Sequence, residues 1–180
     1  HPFSVGCIAR FSQEKGVDVL VQALQDDPDI DVHLLGRGSE ECTLRQLIQE
    51  DSERTGVQRF HLWSTVTSID AFYEKIDLLV LPSRDHDPFG LVVAEAMVRG
   101  IPVIVTSCCG IVSEITHGNH ALVIPPDDPQ ALRAGILELR HAHRRDAIAA
   151  RGMAHARQIF SIDTMVQHYV GLLERSDCTR

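Results

Sequence analysis

Asp87-Pro-Phe-Gly-Leu-Val-Val-Ala-Glu-Ala-Met-Val-Arg-Gly-Ile-Pro-Val103 reads as a loop, a short helix and a buried strand. The run before it, Asp77-Leu-Leu-Val-Leu81, is continuous and apolar, as a central strand of a parallel sheet is. Gly90 opens the helix, Gly100 ends it, and Pro102 forbids its continuation. Between the glycines, Leu91, Val92, Val93, Ala94, Ala96, Met97 and Val98 are apolar on every side, which predicts a buried helix. Glu95 is then a carboxylate in an apolar setting, costly unless something pairs with it. Either a buried partner meets Glu95, or it points into a cleft and holds a polar ligand.

Upstream of this stretch the pattern alternates. Phe3 to Ile8 reads as a strand and Arg10 to Gly16 as a polar loop. Val17, Leu20, Val21 and Leu24 fall at helical spacing, and Asp26-Asp27-Pro28 closes that helix. Ile30 to Leu35 is a second strand, followed by the turn Gly36-Arg-Gly-Ser39. Ser39 or a neighbour caps a helix to about Arg54, with Leu44, Leu47 and Ile48 inward. Val57 to Trp63 alternates like a strand, Ser68 caps a short helix through Phe72 and Tyr73, and Leu78 to Leu81 is the fourth strand.

Downstream, Val103 to Val105 is a strand and Thr106 to Gly110 a loop of small residues. A turn of helix near Val112 to Ile115 and a sixth strand, Ala121 to Ile124, come next. Asp128 before Pro129 starts a helix to about His141, and another runs to Phe160. Ser161 caps a last helix, with Phe160 and Met165 spaced as a hydrophobic staple. This order predicts an α/β fold, a Rossmann-like parallel sheet of about six strands with helices on both faces. Ligands of such sheets bind outside the carboxyl ends of the strands. Those ends are residues 10–15, 36–39, 63–67, 82–90 and 106–110.

Composition narrows the function classes. The 180 residues suit a single domain with a real core, and 44% hydrophobic content is that of an ordinary globular protein. A formal net charge of -8 argues against non-specific nucleic-acid binding, and no apolar run approaches the ~20 residues of a membrane span. The five cysteines form no CxxC and suggest free thiols in a reducing, cytoplasmic setting. The sequence begins with His1 rather than Met, so a missing targeting segment carries no weight. His141, His143 and His155 read as surface residues with no metal-ligand spacing, and His61 and His86 lie near strand ends.

Five loops converge on one sheet edge, and their polar residues form the candidate site. Arg10 and Lys15 beside a strand end suit a diphosphate, Arg by forked hydrogen bonds and Lys as a point charge. Gly36 and Gly38 allow close backbone approach to a ligand, without the third glycine of a dinucleotide fingerprint. Asp87 and Glu95 offer acceptors for hydroxyls, and the helix amides near Phe89, Gly90, Leu91 and Val92 favour anions.

Together these motifs resemble the donor-binding, C-terminal half of a GT-B glycosyltransferase of the glycosyltransferase family 4 ("glycosyl transferases group 1") type. The residues that carry the resemblance are Ala9 to Gly16, Leu35 to Gly38, Leu81-Pro-Ser83, Asp87 to Gly90, Glu95-Ala-Met97 and Gly100 to Val103, with Gly110, Glu114 and the turn Pro125 to Pro129. The resemblance implies a nucleotide-sugar donor, with Arg10 and Lys15 on the diphosphate and Glu95 on the ribose. Asp87 would contact the donor sugar, and the backbone of Phe89, Gly90 and Leu91 the sugar and phosphate. The base would lie near Trp63 to Thr67. Asp87 stands where the family usually has Glu, one methylene longer, and Ala9 where Gly is common. The resemblance further implies transfer with retention, no metal and no cofactor. It also implies a separate N-terminal acceptor domain, which is where peripheral membrane contact would arise. Two rival readings are a non-catalytic regulatory or assembly module of this fold and a nucleotide-sugar epimerase.

Overall fold

The computed structural model describes residues 2–85 and 87–160. The chain alternates strand and helix: β1 (Phe3–Ile8), α1 (Val17–Ala23), β2 (Ile30–Leu35), α2 (Glu41–Thr55), β3 (Phe60–Trp63), α3 (Ile69–Tyr73), β4 (Leu78–Leu81), α4 (Leu91–Val98), β5 (Val103–Thr106), β6 (Leu122–Ile124), α5 (Pro129–Arg140) and α6 (Ala142–Ile159). The six strands form one sheet in the order β3-β2-β1-β4-β5-β6, and every pairing is parallel. The expected α/β architecture is therefore the one observed. The expected last helix after Ser161 lies outside the described residues, as does His86.

The inner strands β4 and β5 are buried at every position because both faces are covered, and side-chain alternation divides the sheet between two cores. Val5, Cys7, Val32, Leu34, Val80 and Ile104 pack under α1, α2 and α5 with Leu20, Leu44 and Ile136. Leu79, Leu81, Val103 and Val105 point the other way, against Phe72 and Tyr73 of α3, Val93 and Met97 of α4 and Ala156 of α6.

Local chemistry sets the element ends. Asp128 caps α5, its carboxylate accepting from Ala131 N at 2.9 Å, with Pro129 in the first turn. Ser39 does not cap α2; the residue before that helix is Glu40, and no side chain caps it. Backbone replaces the cap there, since Glu40 N donates to Phe11 O at 2.9 Å and ties the turn to the first loop. β3 starts at Phe60 rather than Val57, because Gly56 ends α2 in the left-handed region (φ 72°) and Val57 stays 43% exposed. The turn near Val112 is a 3-10 helix over Gly110–Glu114.

At the amino end of β3, a buried ion pair ties α2 to the residue before the strand. Arg59 and Asp51 have side chains 1% exposed, with 2.8 Å between Arg59 Nη2 and Asp51 Oδ1. Arg59 also donates to the carbonyls of Leu24 (2.8 Å) and Asp27 (3.1 Å) and lies over the Phe60 ring. Asp51 Oδ2 and Arg59 Nε have no partner among the described residues, where the pair is incompletely satisfied. Removing one member strands a buried charge. Asp51→Ala is therefore expected to cost about 3–5 kcal/mol, and Asp51→Ala with Arg59→Met distinctly less, by urea unfolding midpoints.

Candidate functional site

The strand order reverses direction between β1 and β4, and the chain leaves these neighbours toward opposite faces of the sheet. The divergence opens a cleft of about 300 Å³ at their carboxyl ends. Ile8, Ala9 and Leu81 form its floor, Lys15 and Asp87 its polar side, and Pro88 to Val92 its wall.

Lys15 reaches this cleft because the loop after β1 is docked on the loop after β4. Gly16, at φ 59°, permits the contact: a Cβ there would lie 2.2 Å from Pro82 O. Arg84 N donates to Glu14 O at 2.8 Å. The Arg84 guanidinium then grips Asp18 at 2.7 and 2.8 Å and Asp127 at 2.6 Å. Hydrogen bonding to Asp18, then to Asp127, raises the Arg84 pKa above its ordinary range. So braced, Lys15 Nζ sits 2.6 Å from Asp87 Oδ2, with both side chains largely buried. Ser83 Oγ lies 3.4 Å from the same oxygen. The Asp87 backbone is fixed as well, its carbonyl accepting from Gly110 N at 2.9 Å.

The amino end of α4 faces this pair. Gly90 turns the chain at φ 87° and accepts from Val93 N at 2.9 Å, and no side chain among the described residues caps the first amides of the helix. Phe89 packs its ring against Phe160 at 5.7 Å, edge to face, which anchors the loop from behind.

The remaining expected residues lie apart from the cleft lining. Arg10 has a side chain 70% exposed and stands 3.6 Å from Glu14. Gly36 packs closely on the first loop: a Cβ there would lie 1.9 Å from Ala9 O. Trp63 lines a separate, adjoining cleft of about 200 Å³ with Thr65, Val66, Thr67, Ser68, Ala71, Phe72 and Lys75.

Glu95 corrects the expectation of a helix buried all round. It is exposed, as is Leu91 one turn before it (68%), while Val93, Ala94, Ala96 and Met97 are buried. The helix therefore has a solvent face despite its apolar sequence, and Leu91 is an exposed apolar residue on it. Glu95 also has a partner that sequence reading missed: the Tyr73 hydroxyl donates to its Oε2 at 3.0 Å. Tyr73 comes from α3, 22 residues earlier, and no local spacing links the two. Burial, and then the Glu95 charge, raise the Tyr73 pKa well above the usual phenol range.

The other thiols and imidazoles near the strand ends are accounted for by packing. Cys109, behind Asp87, is buried, which pushes its thiol up to about 11. His141 and His143 are exposed, whereas His155 is half-buried and stacks on His120 at 3.9 Å. No group of three or more His, Cys, Asp or Glu among the described residues is arranged to hold a metal ion. No helix among them is long and apolar enough to cross a membrane.

The geometry defines a doubly wound α/β domain whose switch-point cleft brings together a cation, a carboxylate and a helix amino end. The chain belongs to the family glycosyl transferases group 1, which it matches over residues 2–152. Its fold is the Rossmann-like fold of GT-B glycosyltransferases. It is 27% identical over 179 residues to mannosylfructose-phosphate synthase of Agrobacterium fabrum, covering 93% of this chain and 39% of that protein. Alr3699/HepE of Anabaena, solved in complex with UDP, superposes with a TM-score of 0.85 at 27% identity, over 96% of this chain and 49% of that one. The C-terminal domain of LpcC, a group 1 family protein of Francisella tularensis, has the same fold (TM-score 0.78, 19% identity), over 89% of this chain and 87% of that one. The chain thus spans less than half the length of the curated synthase and about half that of HepE.

One titration is readable in this site. Trp63, the sole tryptophan, donates from Nε1 to His33 Nδ1 at 3.3 Å, and His33 stacks on His61 at 4.8 Å. Burial first, and then the charge of His61, lower the His33 pKa, with Asp31 opposing and Lys75 adding to the fall. The unfolded chain therefore takes up this proton before the folded one does. Stability from His33 is held above about pH 6.5 and lost as pH falls through the window below it. The expected outcome is a Trp63 emission change with a midpoint below about pH 6.5, absent in His33→Gln. A smaller loss of urea midpoint between pH 7 and 5 should accompany that substitution.

Proposed function

We propose that this chain is the donor-binding, C-terminal half of a retaining GT-B glycosyltransferase of the family 4 type. It would bind a nucleoside-diphosphate sugar for transfer to an acceptor held by a separate N-terminal domain. The observation that carries this reading is the cleft at the β1/β4 switch point. There Lys15, Asp87 and the amino end of α4 meet within one concavity. The HepE complexes with UDP and with UDP-glucose support the ligand class.

The chemistry follows from charge. Departure of a nucleoside diphosphate places negative charge on phosphate oxygens. Lys15 and the first amides of α4 stabilise that charge where it develops, with Arg10 adding a cation from the rim. This requires no metal. Among the described residues, both side-chain contacts on Asp87 fall on Oδ2, and on this reading Oδ1 accepts from a sugar hydroxyl. Glu95 stands one turn along α4 from Leu91, which walls the cleft. It also bonds Tyr73, whose neighbour Phe72 lines the Trp63 cleft. Sugar and diphosphate in the first cleft, ribose at Glu95 and base at Trp63 reproduce the order of groups in a nucleotide sugar.

Calorimetry and thermal shift with UDP, GDP and ADP test this. One of them is expected to bind, and at ~100 times its Kd to add about 2.7 kcal/mol of stability. Glu95→Ala is expected to weaken that nucleotide by about 10- to 150-fold, the loss of one hydrogen bond to a charged group. The unliganded protein should stay folded with only a small fall in midpoint, because Glu95 is exposed and Val92 O remains as a second acceptor for the Tyr73 hydroxyl. Binding of none of the three would favour a non-catalytic module, and release of an epimerised sugar nucleotide would favour an epimerase.

A further inference from the structure

An exposed glutamate is a poor recognition group by itself, because its rotatable side chain must be ordered before it can select anything. In this fold the ordering comes from α3. Tyr73 is 3% exposed, and its ring meets Phe72 edge-on at 6.3 Å. The Arg99 guanidinium covers the ring at 4.6 Å. Arg99 is itself tied to Asp70 at 2.7 Å and to the carbonyl of Glu95 at 3.0 Å. The phenol thus has a fixed position, and Arg99 joins that position to the helix that carries Glu95.

The Tyr73 hydroxyl has two acceptors in reach, Glu95 Oε2 at 3.0 Å and Val92 O at 3.4 Å. It has a single proton to give, and the closer, charged acceptor takes it. A carboxylate held through one oxygen presents the other in a set direction. Beside it, Ala71 and Phe72 of the same helix, with Lys75 just beyond, line the cleft that contains Trp63.

We propose that Tyr73 is the positioning residue for ribose recognition. By occupying Oε2 of Glu95 it turns Oε1 toward the 2′- and 3′-hydroxyls of a bound nucleoside diphosphate. The short helix α3 therefore sets two subsites at once, walling the base and orienting the acceptor for the ribose. This rests on the reading of Glu95 as the ribose acceptor. It adds a requirement that the reading alone does not contain: discrimination between ribose and deoxyribose depends on a residue that never touches the nucleotide. The donor persists across the working pH range, because burial and the neighbouring carboxylate keep the phenol protonated.

The test is calorimetric titration of UDP, GDP and their 2′-deoxy analogues into the unaltered chain, Tyr73→Phe and Glu95→Ala. The unaltered chain is expected to prefer the ribonucleotide by about tenfold or more, and Glu95→Ala to lose that preference. Tyr73→Phe, which keeps the ring, is expected to cut the preference by about fivefold while deoxynucleotide affinity stays within about twofold. Arg99→Gln removes the cover on the ring from the exposed side of the clamp. It should give a smaller loss in the same direction, which makes the test independent of how Tyr73→Phe packs. A full preference in both Tyr73→Phe and Arg99→Gln, with Glu95→Ala having lost it, would overturn the role of Tyr73 and leave that of Glu95. Equal binding of ribo- and deoxynucleotide by the unaltered chain would instead sink the ribose reading itself.

Discussion

The contact between the β1–α1 and β4–α4 loops is the constraint on which the candidate site depends. Strands β1 and β4 are sheet neighbours, yet they send their helices to opposite faces, so their loops would otherwise splay apart. Backbone holds them together: Gly16 against Pro82 O and Arg84 N on Glu14 O. The Arg84 bridge to Asp18 and Asp127 reinforces that hold from outside the cleft. Only with this docking in place can Lys15 lie 2.6 Å from Asp87, two groups 72 residues apart in the chain. A salt bridge so sheltered would be a weak source of stability in itself, because desolvation offsets much of the attraction. Its consequence is geometric: cation and carboxylate are both fixed at the strand ends, where the amino end of α4 also points.

α4 shows how an apolar sequence can carry a solvent face. Its buried side is built by Val93, Ala94, Ala96 and Met97, packed on β4, β5 and α6. The opposite side carries Leu91, Glu95 and Arg99 at four-residue intervals, all exposed. Leu91 marks the cleft, Glu95 takes the Tyr73 hydroxyl, and Arg99 closes over the Tyr73 ring. One helix face thus passes from the switch-point cleft to the cleft lined by α3.

Much of this architecture was legible from local pattern. β4 runs where its block Leu-Leu-Val-Leu predicts, because a parallel strand buried on both faces advertises itself as uninterrupted Val, Ile and Leu, and β1 and β2 also run where expected although Ser4, Gly6, Asp31 and His33 interrupt their apolar residues. Gly90, Gly100 and the Asp128-Pro129 start are equally local, since each answers a backbone demand at its own position. The misread features are those that distant residues decide. Apolar side chains all round α4 predict burial, but no sequence window shows that one face meets solvent. Tyr73 on Glu95 and Arg59 on Asp51 were invisible for the same reason: each joins two elements whose meeting is fixed only by the sheet.

The aspartate at position 87 is better understood in the same terms. Its backbone is pinned on the far side by Gly110 N, and a Cβ at Gly110 would lie 2.2 Å from Pro88 O, so the loop has no slack to extend a short side chain. The carboxylate must therefore stay where the backbone puts it, against Lys15 and Ser83. A glutamate at this position would carry its charge one methylene deeper into the cleft and further from Ser83. On the proposed reading, the shorter acid leaves more of the contact with an incoming sugar to Oδ1 and to the amides of Gly90 and Leu91. On the same reading, Lys15 would meet a diphosphate with its charge already partly engaged by Asp87, so that the neutralising charge for phosphate would be shared among Lys15, Arg10 and the helix end.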